Sequence, residues 1–270
     1  MRVHVIQTGN VVFREAMVNE SERPLRGLLK ALVRPKKMSI PINAYVVEHS
    51  DGLIMIDTGL HAGVVTPRVI RWLGDLPTIE ESDEVGPRMR AQGLLPTDVR
   101  WVIPTHLHLD HAGGLHHFPD AELLVHRTEI EKTGMDLKAD YRHLWPDRLD
   151  PKLYDLDPEP YHGFPAHKRL TSDIRFVPIP GHSAGQVGIV IDTDGPTLFF
   201  CGDHTLTQQR FVDDFAAGHL VMGGMFDRRT ARQTSRNIAT FLNEVPTMLV
   251  PAHDHTVAAR LAARSPVTVG

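Results

Sequence analysis

The sequence predicts an α/β or α+β fold, sheets covered by helices, and three observations carry that prediction. Short apolar, β-branched runs recur along the 270 residues, each closed by a turn residue. Segments with helical periodicity fall between and after them, at Val64–Leu73, Ile79–Gln92, Thr230–Asn243 and Val257–Arg264. A hydrophobic content of 41% with 23% charged residues is that of a soluble globular chain able to bury a substantial core. Strand blocks alternating with helices must bury one face of each against the other, which gives the layered class.

The expected strands follow in order. Val3–Ile6 and Ala44–Glu48 come first, and Ile54–Ile56 then runs into Asp57-Thr58-Gly59. Trp101–Pro104 precedes His106, Ala121–Val125 follows, and Ile174–Ile179 precedes His182. After Val187–Ile191, Leu198–Cys201 precedes Asp203, and Met248–Pro251 precedes His253. Loops leaving one edge of a sheet are where a rigid scaffold presents its chemistry, so five such exits imply one shared site. Two stretches read as insertions. Arg23 to Met38 is basic and partly apolar, and Gly134 to Leu170 is rich in Pro, Asp, Tyr and His. The expectation is a single domain over 1–270, with the insertions near 20–40 and 134–170 as candidate lids or substrate loops.

Bulk properties narrow the function. A net charge of −4 offers no general attraction to nucleic acid. The single cysteine, Cys201, rules out an internal disulfide framework, suits a reducing compartment and reads as a small buried apolar residue. With no long apolar stretch, neither a signal peptide nor stable membrane insertion is expected, and the cytoplasm is the expected location. Leu25–Val33, with basic flanks, could line an acyl-chain pocket, touch a membrane surface, form a homodimer contact or be an ordinary surface helix. Gly223-Gly224, between Met222 and Met225-Phe226, reads as a pocket wall or a core loop.

Seven residues in four places have the type and order needed to hold two metal ions. They are His106, His108, Asp110 and His111, then His182, Asp203 and His253. Five imidazoles and two carboxylates match the N/O preference of zinc and its neighbours in the transition series. In an extended segment alternate residues share a face, so His106 and His108 point the same way, and a following turn can bring Asp110 and His111 round. Gly113-Gly114 is expected to supply flexibility there, and the small residues around His182 to let the backbone approach an ion. Asp203 can bridge two ions, since a carboxylate has two oxygens. The bland reading, histidines scattered near strand ends by chance, fits one segment alone but not four in this order. His255 is the one rival ligand, whereas His116-His117 reads as solvated or hydrogen-bonded, because adjacent residues usually diverge.

The pattern His-X-His-X-Asp-His, followed by Gly-His, Gly-Asp and a late His, resembles the metallo-β-lactamase superfamily from about residue 40 onward. That resemblance implies an αββα sandwich of two mixed sheets with a dinuclear site at one edge. By position it places one metal on His106, His108 and His182 and the other on Asp110, His111 and His253, with Asp203 between them and Asp57 in support. Zinc is the default, and iron, manganese or cobalt can take such sites. Within the superfamily the chain is most similar to the N-acyl-homoserine lactonases, through His-Leu-His-Leu-Asp-His-Ala-Gly-Gly, Gly-His-Ser-Ala-Gly-Gln and a final Ala-His-Asp. It departs from them at Leu109, often Phe there, and at Leu206, where they tend to carry a substrate-contacting Tyr. His204, Tyr141, Tyr154 or Tyr161 would have to take that role.

The resemblance implies metal-assisted opening of a cyclic ester, with Asp110 as proton shuttle and a small lactone or ester as the partner molecule. A metal pair makes a nucleophile from water at neutral pH and polarises the bond under attack. Competing readings keep the metals and change the substrate to a thioester, a β-lactam or a phosphodiester. The last usually wants a basic exosite. A non-catalytic binding protein of the same fold is the reading from another class, and the full ligand set argues against it.

Overall fold

The computed structural model describes residues 1–16, 29–30, 33, 36–64, 74–75, 79–136, 150–213 and 227–267. Within them the chain builds two mixed β-sheets face to face. The larger sheet contains β1 (Arg2–Arg14), β2 (Lys37–His49), β3 (Gly52–Ile56), β4 (Gly74–Asp75), β5 (Val99–Ile103), β6 (Glu122–His126) and β7 (Lys152–Tyr154), in the order β4-β1-β2-β3-β5-β6-β7. The smaller contains β8 (Lys168–Arg169), β9 (Ile174–Pro178), β10 (Val187–Ile191), β11 (Thr197–Gly202) and β12 (Thr247–Pro251), in the order β12-β11-β10-β9-β8.

Alternation along the strands decides what goes where. Tyr45, Val47, Ile54, Ile56, Trp101 and Ile103 face Phe176, Ile189, Ile191, Phe200, Met248 and Val250, and together they form the layer between the sheets. The opposite face of the larger sheet packs under helix α1 (Val85–Ala91) through Val85 and Met89, with Leu115 and Phe118 beside it. Among the described residues, α2 (Leu109–Ala112), α3 (Arg127–Asp136), α4 (Gln208–Asp213) and α5 (Arg228–Glu244) follow in turn. The outer face of the smaller sheet, with Val177, Val190, Phe199 and Leu249, packs under α5 through Ile238, Phe241 and Leu242. Asp227 caps α5 by accepting from the backbone of Arg229 and Thr230, and α6 (Val257–Ala263) follows β12. The order of layers is therefore helix, sheet, sheet, helix.

Strands β3 and β5 are parallel neighbours, as are β11 and β12, so their C-terminal ends deliver Asp57, His106, Asp203 and His253 to one edge. A clasp joins the sheets there. Asn43 N–H donates to Ala252 O at 2.9 Å, Tyr45 Oη–H to Pro251 O at 2.6 Å, and His253 Nδ1 lies 2.8 Å from Pro41 O.

Three expectations are corrected. The strand read at Val3–Ile6 runs to Arg14, and that at Ala44–Glu48 starts at Lys37, inside the stretch read as an insertion. Their polar residues face a single partner strand, which weakens the apolar signal without weakening the ladder. The helix read at Ile79–Gln92 is a 3₁₀ turn at Glu81–Asp83 followed by α1, with Glu84 extended between them. Residues 150–170, expected as part of a lid, give an edge strand to each sheet, joined through bridges pairing Asp157 with His167 and Tyr161 with Phe164. The helix read at Val64–Leu73, Tyr141, the Met222–Phe226 stretch and most of Leu25–Val33 lie outside the described residues. Leu29 and Val33 are exposed. Among the described residues no helix is long and apolar enough to cross a membrane.

Candidate metal centre

All seven sequence-predicted donors converge at that edge. They fall into two sets, His106, His108 and His182, and Asp110, His111, Asp203 and His253, with the donor atoms of each set all within 4.8 Å of one another. The loop leaving β5 bends at Thr105 and His106 and reaches His108, whose extended backbone immediately precedes α2. That four-residue helix turns Asp110 and His111 away from His106 and His108.

Asp203 stands between the sets. Its Oδ1 lies 3.1 Å from both His111 Nε2 and His253 Nε2, and its Oδ2 lies 3.4 Å from His182 Nε2. His182 Nε2 in turn is 2.9 Å from His108 Nδ1. Asp110 reaches His253 Nε2 at 3.6 Å and His111 Nε2 at 3.8 Å.

The far side of each ring decides which nitrogen faces inward. His111 Nδ1 is 2.9 Å from Asp57 Oδ2, and His253 Nδ1 is held by Pro41 O. His106 Nδ1 lies 3.1 Å from Thr105 Oγ1, which also reaches Asp57 Oδ1 at 3.0 Å. Carboxylate and carbonyl acceptors fix the Nδ1–H tautomer and leave the Nε2 lone pair for a cation. Among the described residues, His106 Nε2, His111 Nε2, His253 Nε2 and Asp203 Oδ1 are buried with no hydrogen-bond partner. Orphaned acceptors converging from separate strands fit a metal pair and nothing apolar. Asp57 has φ 57°, a left-handed conformation an Asp tolerates, and there its carboxylate also accepts from Thr105 N–H at 2.7 Å.

Electrostatics divide the site. Burial, then His111, His108 and His182, pushes His106 well below the ordinary imidazole range, and burial brings His182 down to about 3 against the pull of Asp203. Burial also works against a proton on His111, but Asp203, Asp57 and Asp110 outweigh it and hold that imidazole well above its usual value. Burial likewise disfavours charge on Asp203, yet His253, His111 and His182 keep it ionised far below the normal carboxylate range.

Sequence reasoning missed Glu129. Its Oε1 accepts from Leu107 N–H at 3.0 Å, and its Oε2 accepts from Ser183 Oγ–H at 2.7 Å and Gly185 N–H at 3.0 Å. One buried carboxylate thereby ties the loop carrying His106 and His108 to the loop carrying His182. A lone Glu in the first turn of a helix carries no sequence signal for this. Glu129→Gln replaces one acceptor by a second donor facing N–H groups. We expect metal affinity to fall by about 10–100-fold and stability by about 2 kcal/mol, measured by metal titration and urea unfolding.

Glycines beside the ligands act through space rather than flexibility. A Cβ on Gly114 would lie 2.3 Å from Thr58 O, and one on Gly185 would lie 2.1 Å from Glu129 N. Gly185, three residues after His182, therefore admits the backbone of α3.

The other candidates fall elsewhere. His204 is buried with Nε2 2.9 Å from Ser235 Oγ on α5 and its ring beside Phe211, and it belongs to neither donor set. Tyr154 packs on His126 and Phe176, and Tyr161 on His167 and Phe241. Leu206 is 2% exposed and lies in an apolar cluster with Ile40, Ile42 and Leu60, against which Leu109 packs. His255 is exposed, and Cys201 is buried and unpaired. His116 and His117 do not diverge as expected, because a 3₁₀ turn lets both reach Glu84 Oε2, at 2.9 and 2.6 Å.

Asp254, fully buried next to His253, accepts from Gln208 N–H, Thr256 N–H and Oγ1–H, and Arg260 Nη2. Burial disfavours its charge, but these donors prevail and hold its carboxyl below the ordinary value. A depressed carboxylate stabilises above the unfolded pKa of about 3.9, and that stability is lost as pH falls through the folded value. Asp254→Asn should cost about 2–3 kcal/mol at neutral pH, and the gap should close below about pH 4. Urea unfolding of the metal-stripped chain at both pH values measures it.

Comparison with known proteins gives the same picture. The chain is 31% identical over 176 residues to a probable metallo-hydrolase of Mycobacterium tuberculosis, a match covering 58% of this chain and 54% of that protein. It is thus similar to that relative over about half the relative's length. An N-acyl homoserine lactonase of Bacillus thuringiensis is 27% identical over 191 residues, 68% of this chain and 72% of that protein. A solved N-acyl homoserine lactone hydrolase, holding N-hexanoyl-L-homoserine at its catalytic metal centre, superposes with a TM-score of 0.74 at 21% identity, over 95% of this chain and 94% of that one. The metallo-beta-lactamase superfamily model matches residues 40–253, from the β2 clasp to the last histidine of the centre, and the chain belongs to that superfamily.

Proposed function

We propose that this chain is a dinuclear metal-dependent hydrolase that opens a lactone ring, with N-acyl-homoserine lactones as the substrate class and quorum quenching as the biological outcome. The observation that carries the reading is Asp203, which stands between the two donor sets, with its Oδ1 and the Nε2 atoms of His106, His111 and His253 buried and without a hydrogen-bond partner among the described residues. His106, His108 and His182 would hold one ion and Asp110, His111 and His253 the other, zinc being the default. When bound, such a pair supplies a water-derived nucleophile at neutral pH and polarises the ester carbonyl. The chain's own groups orient and move protons. Asp110, whose side chain is 14% exposed against 3% or less for Asp203, His111 and His253, is open to substrate, and it would take the proton given up by the attacking water and return it to the released ring oxygen.

The resemblance to the lactonases of Bacillus supports an acyl-homoserine substrate. Leu206 and Leu109 stand where those enzymes tend to carry aromatic residues, and they belong to a buried apolar cluster that supplies no phenol to contact the substrate carbonyl. His204, bonded to Ser235, is given no contact with substrate. The small molecule is the partner in this reading, and one domain with no nucleic-acid role is sufficient for it. Kinetics with a pH indicator on lactones of graded acyl length, beside a thioester, a β-lactam and a phosphodiester, test it. Acid release from long-chain lactones above the rest is expected. Two bound metals with no turnover of any lactone would overturn it.

A further inference from the structure

A second group of metal-type side chains lies outside the dinuclear centre. His61 follows the Asp57–Leu60 turn, Glu84 immediately precedes α1, and His116 sits in the 3₁₀ turn Leu115–His117. Their donor atoms all lie within 4.8 Å of one another. We propose that His61, Glu84 and His116 form a third metal site, for a single zinc-class divalent cation, which staples the 57–64 turn to the start of α1 and to the segment after Gly114.

The donor set is two imidazoles and one carboxylate, a combination that binds zinc-class ions with a position left for water. Glu84 is 4% exposed and therefore has to be satisfied by its neighbours. Its Oε1 accepts from Ala62 N–H at 2.7 Å, which aims the carboxylate at the 57–64 turn. Its Oε2 has two imidazoles within 2.9 Å, and the His61 ring lies tilted beside that of His116 with ring centroids 4.7 Å apart. Three imidazoles are therefore crowded around one carboxylate, although one of them would balance its charge. His116 Nδ1 is buried with no hydrogen-bond partner among the described residues, so no acceptor on that side holds its ring in place. The side chain of His116 is nevertheless 29% exposed, which gives an ion a route in from solvent.

His117 is the neighbour that does not take part. Its ring lies over the first turn of α1, where a Cβ on Gly86 would come within 2.5 Å of Nδ1, so packing holds it in place. It remains a hydrogen-bond donor to Glu84 whether or not an ion is bound. On binding, the ion takes one ring lone pair of neutral His116, and the ring proton is carried by the other nitrogen. The turn so fixed also carries Asp57 and Thr58, and Thr58 N–H and Oγ1–H both donate to His111 O. The proposed site therefore braces the support of the dinuclear centre without touching it.

Zinc binding to the full chain, counted by elemental analysis and by titration against a chromophoric chelator, tests this. Three equivalents are expected for the parent chain. His61→Ala, Glu84→Gln and His116→Ala should each lose one equivalent or weaken it by on the order of 100-fold or more, whereas His117→Ala should keep it. An equal count in the parent chain and all three variants would overturn the proposal, as would an equivalent that depends on His117. Crystals of the parent chain grown with zinc give a second reading that needs no variant to fold. An anomalous peak bonded to all three side chains is expected, and its absence at full occupancy of the dinuclear centre would overturn the site. Because peaks are counted position by position, failure here is distinct from failure of the dinuclear reading.

Discussion

Asp203→Asn should lower lactone-opening kcat/KM by on the order of 10³-fold, about 4 kcal/mol of transition-state stabilisation. Asp203 is 2% exposed, and its two oxygens face His111, His253 and His182 at 3.1–3.4 Å. Asparagine keeps the shape but loses the charge and one acceptor, and its amide would point N–H groups at imidazoles whose other nitrogen is already held as the donor. Two cations could then no longer share one carboxylate, and the several kcal/mol that metals supply to such a reaction would be largely lost. Steady-state kinetics with a parallel metal count measures both effects. A variant with two metals and parental turnover would remove Asp203 from the centre of the account.

Stripping the metal pair should lower the melting temperature by about 15–30 °C. A ligand at a thousand times its dissociation constant stabilises the native state by about 4 kcal/mol per site. For a chain of this size each kcal/mol moves the melting point by about 2–4 °C. The physical source is visible in the site. His106, His111 and His253 present buried nitrogens with no hydrogen bond, while Asp203 is buried and ionised among them. Without a cation these groups depend on protons and on each other. Calorimetry before and after chelation, followed by re-addition of zinc, reads the difference. An unchanged melting point would mean that the chain holds no resident ion.

The site was more legible in the sequence than the scaffold around it. Ligands such as His182, Asp203 and His253 each follow a buried strand, and a strand with both faces covered has an apolar run as its signature. The beginning of β2 carries no such signature, because Lys37 and Met38 are polar or partly exposed and pair only with the end of β1. The two-residue strands β4 and β8 are too short for any period to register. Around the metals, the order of His and Asp pointed to the donors, whereas the side chains that hold them could not be found that way. Glu129 acts through three bonds made to two loops 54–56 and 22 residues away, and nothing in its own neighbourhood records them. His116 and His117 are hydrogen-bonded, as their sequence reading had it, although both reach the same Glu84 carboxylate instead of diverging.

The clasp between β2 and the loop after β12 has a consequence for biosynthesis. Pro41, Asn43 and Tyr45 hold residues 206–212 positions later in the chain. While the polypeptide is still emerging from the ribosome, the donors of Asn43 and Tyr45 and the carbonyl of Pro41 wait unmatched until the residues after β12 appear. Such distant pairings slow folding and prolong the exposure of sticky intermediates. The donor set is accordingly complete only once His253 has been made and docked against Pro41.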